Sequence, residues 1–427
     1  MKLSLAKGTR DFPPEEKIVR QKVVETLRGI FELYGYSPLE TPIIERFDVL
    51  SSKYAGGAEI LKETFSFKDN ADRELGLRYD LTVPMCRYVG MNPTLKMPFK
   101  RYEIGQVYRN GPIKLGRYRE FWQCDVDIVG CRDVVADAEM IKIADDVFTK
   151  LGFEAVTEFN SRKILEGILD YAGIKEKEKR DAAMVAIDKL KKIGADEVKK
   201  EMLQSIEEEQ ADRVLKAIGI SGKDAVAKLQ KIITSDIGKE GVEEIKTIID
   251  YLKAMNVKSA SFEPSLARGL AYYTGPVFEV YLKGSEIKSA AAGGGRYDKM
   301  IGEFIGGGKE YPATGISFGL EVITEALKLG NKVYEKSVTK VFVIPIGTLK
   351  ESLKAVQKLR SAGISADIDM LGRGPSKNLA YADSMAIPYV IFIGEDELKQ
   401  KKVKLKDMKR GDESLIGIDE VMEKLRC

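Results

Sequence analysis

Residues 100–130 read KRYEIGQVYRNGPIKLGRYREFWQCDVDIVG, and LRYDLT at residues 77–82 precedes them. From Arg119 onward the odd positions are Phe121, Gln123, Asp125 and Asp127, while the even ones are Trp122, Cys124, Val126 and Ile128. A period of two belongs to a β-strand, so one face is polar and the other apolar. The run before it places Arg101, Glu103, Gly105, Val107 and Arg109 on one face as well. Two antiparallel strands joined by a loop from Asn110 to Gly116 bring Arg109, Arg117 and Arg119 to one end. Guanidinium groups clustered there suit a polyphosphate, because the planar fork pairs with phosphate oxygens and never loses its charge. The carboxylates farther along suit an amine or a metal. Alternation alone fits a half-exposed, salt-bridged hairpin equally well.

Two further blocks shift that balance. PSLARGLAYYTGPVFEVYL, residues 264–282, sets Arg268 in a glycine-flanked turn before paired tyrosines and a strand. AAGGGRYDKM, residues 291–300, and ATGISFGLEVI, residues 313–323, give a glycine-rich approach, Arg296, Tyr297 and a small-residue strand entering a helix. Neither GxxxxGK nor GxGxxG spacing occurs, and in the GGGK run at residues 306–309 Glu310 stands where a magnesium-binding hydroxyl would follow. A nucleotide must therefore be held by arginines and strands.

In order and wording, these blocks resemble motif 2, the two histidine-specific signatures and motif 3 of the histidyl-tRNA synthetase family of class II aminoacyl-tRNA synthetases. The resemblance covers nearly the whole chain, and its wording lies nearest the archaeal and eukaryotic branch. It implies ATP-dependent activation of histidine to histidyl-adenylate, with Mg2+, and transfer of the histidyl group to tRNA(His). By this resemblance Arg109 holds the α-phosphate, and Arg268 lies on the opposite side of the same phosphate. Asp80, Thr82 and Gln123 surround the substrate α-amino group, and Gln123 also serves ATP. Asp127 and Tyr273 recognise the imidazole, where a carboxylate and a phenol give directional discrimination that an apolar pocket lacks. Tyr272, Tyr297 and Arg296 line the same pocket, and Arg117 and Arg119 belong to a loop that meets ATP phosphates and the acceptor end. For each aromatic, ordinary core packing is the alternative.

The chain departs from the family twice. Ala271 stands where aspartate is frequent, and Val322 stands where motif 3 commonly ends in arginine. Arg296 or a magnesium ion are the candidates to replace that second contact. A rival reading is a non-catalytic paralogue that senses histidine or tRNA; retention of Arg109, Arg268 and a C-terminal domain speaks against it.

With 69 basic and 66 acidic side chains the net charge is only +3, so contact with tRNA must come from local patches. No apolar run suits a signal peptide or a membrane span, which implies a cytoplasmic protein. Cys86, Cys124, Cys131 and Cys427 show no CxxC spacing, so they read as reduced thiols, and no metal site is expected. Histidine is absent altogether. That removes every imidazole base, nucleophile and ligand, yet carboxylate attack on ATP needs no base, since the nucleophile is already ionised.

Fold class follows as an α+β catalytic domain, its antiparallel sheet flanked by helices, with a helical insertion domain and a C-terminal α/β anticodon-binding domain. Asp11 and the two prolines after it start an amphipathic helix that Gly35 ends. The following YSPLETPIIERFDVL, residues 36–50, resembles motif 1, whose proline-bearing strand implies a homodimer; proline by itself marks only an edge strand. The catalytic domain is expected over 1–325, interrupted at 161–257 by the lysine- and glutamate-rich insertion, whose charge reads by itself as a solvated face. A linker at 326–338 then leads to 339–427. There VFVIPI, ISADI and YVIFIG alternate with helical runs, which argues a small, mostly parallel sheet. Arg373 and Lys377 could touch RNA, but ordering a helix start is the preferred reading.

Overall fold

The computed structural model describes residues 3–51, 58–113, 118–268, 272–306, 309–330 and 336–425. The chain divides into two compact units, Met1–Arg10 with Val23–Asn331 and Asp11–Lys22 with Lys332–Cys427. Its strands are β1 (Ser37–Pro38), β2 (Ile44–Arg46), β3 (Ser66–Lys68), β4 (Glu74–Leu77), β5 (Phe99–Tyr108), β6 (Glu120–Val129), β7 (Ala155–Ser161) and β8 (Ala260–Phe262). They continue with β9 (Pro276–Leu282), β10 (Ala292–Arg296), β11 (Ala313–Gly319), β12 (Val341–Pro345), β13 (Ala366–Ile368), β14 (Tyr389–Ile393), β15 (Val403–Asp407) and β16 (Glu413–Ile416).

In the first unit an eight-stranded sheet runs β1-β5-β6-β11-β10-β9-β7-β8. Its middle is antiparallel, as the sequence implied, but β1 with β5 and β7 with β8 pair parallel, so the whole sheet is mixed. β5 and β6 form the hairpin, in a register that sets Arg101 opposite Asp127, Glu103 opposite Asp125 and Gly105 opposite Gln123. The polar face is not solvated: Arg101, Glu103, Asp125 and Asp127 are 0%, 2%, 3% and 4% exposed. The apolar face of the same sheet is covered by helices. Phe31, on the helix Pro14–Leu33, meets the rings of Tyr102 and Phe318, and Phe148, on the helix Val135–Lys150, meets Phe318 from its other side. Gly35 follows the first helix at φ +77, a conformation that favours glycine.

The expected insertion is helical from Arg162 to Ala254 and belongs to the same compact unit as the sheet. Its charged texture is only the outer face, because Val198, Met202, Ala211, Val214 and Ile218 recur at helical spacing and are buried. The helix Leu320–Leu329 runs through residue 326, so the linker cannot start there; residues 331–335 of it lie outside the described residues.

The second unit holds a five-stranded sheet ordered β13-β12-β14-β15-β16. Only β13, β12 and β14 are parallel, and β15 and β16 add an antiparallel edge that the strand-helix alternation does not announce. Val341, Val343, Ile391 and Ile393 enter one apolar cluster, while Phe342, Ile344, Val390 and Phe392 enter another, so both faces of this sheet are buried. Arg373 donates through Nε to Asp369 at 3.2 Å, and its guanidinium lies over the Tyr381 ring, so it orders the start of the helix Pro375–Ser384. No helix among the described residues is long and apolar enough to cross a membrane.

Candidate active site

The polar face of β6 is the floor of a cavity of about 170 Å³ whose walls come from the other quoted blocks. Tyr79, Asp80, Thr82, Arg109, Gln123, Asp125, Asp127, Arg268, Tyr272, Tyr273 and Tyr297 all line it. Segments separated by nearly two hundred residues therefore converge because the β6-β11-β10-β9 order sets their strands side by side. This volume lies below the roughly 300 Å³ at which drug-sized sites begin. It fits an amino acid, which leaves a nucleotide to the arginine end.

Asp80 accepts from the Val83 amide in the first turn of the helix Thr82–Met91 at 2.9 Å, which fixes its carboxylate at the cavity wall. Gln123 Nε2 donates to Ser317 Oγ at 3.0 Å, while Gln123 Oε1 and Asp125 Oδ1 are buried with no hydrogen-bond partner among the described residues. Two acceptors aimed at one small space suit a substrate ammonium. Asp125 carried no role in the sequence reading. Its signal was present, since it has the same parity as Gln123 and Asp127.

Asp127 accepts from the Tyr297 hydroxyl at 2.5 Å, and its other oxygen lies 2.8 Å from Arg101 Nη2. Tyr297 is thus a phenol bonded to Asp127, and Tyr273 lines the same cavity. Beneath the floor Glu103 accepts from Arg78 Nη1 at 2.9 Å and from the Thr41 amide at 2.9 Å. A buried network anchored on three elements holds Arg101, and through it Asp127, in one geometry. A methyl group at Gly315 would collide with the Asp127 carboxylate, so β11 needs glycine beside it.

Arg109 donates through Nε to the Tyr79 carbonyl at 3.2 Å, and its guanidinium lies 4.1 Å from the Tyr79 ring centre and 4.9 Å from that of Phe121. Arg268 approaches from the far wall. Its Nη1 donates to the Phe278 carbonyl at 3.3 Å, and its guanidinium sits 5.5 Å from the Tyr273 ring centre. The close approach of Arg268 to β10 requires glycine at 293, where any Cβ would clash with the guanidinium. Tyr272 and Tyr273 have centroids 4.6 Å apart.

Arg119 lies outside the cavity lining; its amide donates to the Gly8 carbonyl at 2.9 Å and its Nε to the Gly111 carbonyl at 3.4 Å. Arg117 and Ala271 fall outside the described residues. Arg296, expected beside Tyr297 in the pocket, points the other way. It is 2% exposed and bonds Asp137 and the carbonyls of Cys131 and Asp133, because Arg296 and Tyr297 are neighbours in the chain whose side chains diverge. It therefore cannot supply the contact that Val322 lacks.

Burial pushes Asp80 and Asp127 above the usual carboxylate range, and in Asp127 Arg101 and Tyr297 resist the shift. Burial raises Asp125 as well, Arg101 opposing and Asp127 adding, to about 8. An arriving ammonium favours the ionised form, so binding expels the proton from Asp125, and affinity for histidine rises with pH up to about 8. Calorimetric titration of histidine in buffers of different ionisation enthalpy checks this. Proton release at pH above the imidazole range, about 6.5, is expected for the wild type and not for Asp125→Asn; equal release in both would refute it.

A sheet whose polar face joins carboxylates and arginines, in a chain with a separate α/β unit, is the arrangement that the resemblance to class II aminoacyl-tRNA synthetases implies. A family model described as "Histidyl-tRNA synthetase" matches residues 8–323, and one described as "Anticodon binding domain" matches 340–427. The chain belongs to the histidyl-tRNA synthetase family. Histidine–tRNA ligase 1 of Bacillus cereus is 42% identical over 426 residues, covering 99% of this chain and 97% of the relative. Histidine–tRNA ligase of Clostridium tetani is 36% identical, covering 99% and 98%. The crystal structure of histidyl-tRNA synthetase from Nostoc sp. PCC 7120 superposes with a TM-score of 0.89 at 30% identity, covering 100% and 99%. These relatives are bacterial, which does not support the archaeal and eukaryotic branch read from the motif wording. A Bacillus halodurans structure titled as an ATP phosphoribosyltransferase regulatory subunit/histidyl-tRNA synthetase has a TM-score of 0.77 at 21% identity and shows the fold alone. The activity is that of the family, ATP-dependent ligation of histidine to tRNA.

Proposed function

We propose that the two arginines act on the α-phosphate of ATP from opposite walls while the β6 floor holds histidine. The histidine carboxylate attacks the α-phosphorus, pyrophosphate leaves, and the charge that develops on the phosphoryl oxygens meets Arg109 and Arg268 already in place. Asp80, Thr82 and Gln123 take the ammonium, with Asp125 joining them from the floor. Asp127 receives the N–H of the imidazole, and Tyr297 holds that carboxylate in line. Tyr272 and Tyr273 pack the ring, and Arg119 and Arg117 serve the ATP phosphates and the acceptor end from the hairpin loop. The observation that carries this reading is the buried Tyr297–Asp127–Arg101 chain at the closed end of a cavity with arginines at both walls.

Magnesium enters as the counter-ion of ATP. Among the described residues no group of three acidic or thiol side chains is placed to hold a metal, so no step is assigned to a protein-bound ion. A homodimer is proposed through the Pro38–Ile44 segment, which runs from the edge strand β1 of the eight-stranded sheet to β2 of a separate three-stranded sheet, and where Ile43 and Ile44 are 38% and 51% exposed. The proposed domains are a catalytic domain from residue 1 into the helix Leu320–Leu329, the insertion at 161–257, and an anticodon-binding domain at 339–427. Translation places such an enzyme in the cytoplasm.

Pyrophosphate exchange into ATP tests the reading. It should require histidine, and Asp127→Asn should raise the KM for histidine about 10- to 100-fold, the loss of one hydrogen bond to a charged group. An unchanged KM would remove Asp127 from imidazole recognition.

A further inference from the structure

Away from the cavity floor Arg268 has an acidic partner on β9. Its Nη1 lies 3.5 Å from Glu279 Oε1 on β9, and the Tyr281 hydroxyl donates to Glu279 Oε2 at 2.5 Å. Glu279 also stands directly across the ladder from Glu158 on β7. Like charges opposite one another on neighbouring strands repel, so each carboxylate needs its own cation. Glu279 has Arg268. Glu158 has Lys191, which reaches in from the short helix Leu190–Ile193 of the insertion, and the Lys191 ammonium lies 4.2 Å from the Tyr281 ring centre. Asp188, the last residue of the helix Lys177–Asp188, shares a second cavity with Lys191, Glu279 and Tyr281. Two facing glutamates are thus flanked by two cations, Lys191 on the insertion side and Arg268 at the cavity, with Tyr281 touching both halves.

We propose that Glu279 is the positioning residue of Arg268, and that Lys191 lets it act by neutralising Glu158. The inference rests on the role assigned above to Arg268. With Lys191 in place, Glu158 is paired, Tyr281 is stacked and pins Glu279, and Arg268 pairs with Glu279 while Asp188 adds a further negative charge. Remove Lys191, and Glu158 loses its ion pair and faces Glu279 unneutralised, which strengthens the pull on Arg268 toward the sheet and away from the phosphate. Remove the charge of Glu279, and the guanidinium loses the partner that orients it. The charged insertion then has work in the activation step itself, before any tRNA binds.

The test is histidine-dependent pyrophosphate exchange without tRNA, on the full-length protein. Glu279→Gln should lower kcat by about 10²-fold, the scale of an ångström's misplacement, with the KM for histidine changed by less than about twofold. Lys191→Met should lower kcat about threefold to tenfold, and Lys191→Arg should restore it. The double variant should be no slower than Glu279→Gln alone, since both changes act through one guanidinium. Melting of Glu279→Gln should not fall below that of the wild type, because one of two opposed charges has gone; a fall parallel to the activity would make the role structural and overturn the proposal. So would an unaltered kcat in Glu279→Gln alongside collapse in Arg268→Ala, or effects of Lys191→Met and Glu279→Gln that multiply in full. Retained exchange in Arg268→Ala would instead refute the role of Arg268.

Discussion

Arg268→Ala should lower the rate of histidine-dependent pyrophosphate exchange by about 10²–10³-fold, or about 2.7–4 kcal/mol, the scale of removing one preplaced donor from a developing oxyanion. The KM for histidine should move far less. Arg268 sits beside Tyr273 and against Gly293, and its proposed role sets it on the phosphate, apart from the imidazole contact assigned to Asp127 and Tyr297. An interaction strengthened only as charge builds on the phosphoryl group appears in kcat, whereas a ground-state contact with histidine would appear in KM. Exchange kinetics at varied histidine separate the two. Equal losses in kcat and in histidine affinity would assign Arg268 to substrate binding and leave Arg109 to stabilise the transition state unaided.

The period-two run at 119–128 made the hairpin legible, and with it the side-chain parity that brings Gln123, Asp125 and Asp127 to one floor. Sequence could not tell whether that floor was wet, because alternation has the same form on a solvated face. Burial of Arg101, Glu103, Asp125 and Asp127 depends on Arg78 and Thr41 closing the network from other segments, and no local pattern encodes that closure. Motif resemblance carried the rest of the lining. It placed Asp127 and Tyr273 together at the imidazole, and both line the cavity, but it did not reveal the bond from the Tyr297 hydroxyl to Asp127, since a motif fixes which residues meet but not which atoms bond. Gly293 in the glycine-rich approach and Gly315 in the small-residue strand had no evident reason in the sequence, and the structure makes them clearances for the Arg268 and Asp127 side chains. In the C-terminal unit, hydrophobic periodicity revealed β12, β13 and β14. Of the antiparallel edge, β15 alternates lysine with apolar residues, while β16 is only the four residues ESLI and shows no alternation, so their signal is weaker.

Replacing Arg296 should unfold the protein more readily and leave ATP recognition alone. Its guanidinium bonds Asp137 through Nε at 3.0 Å and Nη2 at 2.5 Å, and also the carbonyls of Cys131 and Asp133 at 3.0 and 3.1 Å. These contacts tie the end of β10 to the first turn of the helix Val135–Lys150, where a carboxylate also suits the positive end of the helix. Burial pushes Asp137 up to about 6, and the guanidinium keeps it below neutrality, so the pair is ionised at pH 7. Removing one member strands the other charge away from water. Arg296→Met should therefore cost about 3–5 kcal/mol, read as a lower urea midpoint at unchanged slope. Replacing both members, with Arg296→Met and Asp137→Leu, should recover much of that loss, since an apolar pair leaves no buried charge. The KM for ATP of the folded fraction should stay at the wild-type value in either variant. A raised KM for ATP with normal stability would mean that Arg296 reaches the nucleotide after all and stands in for the arginine missing at Val322.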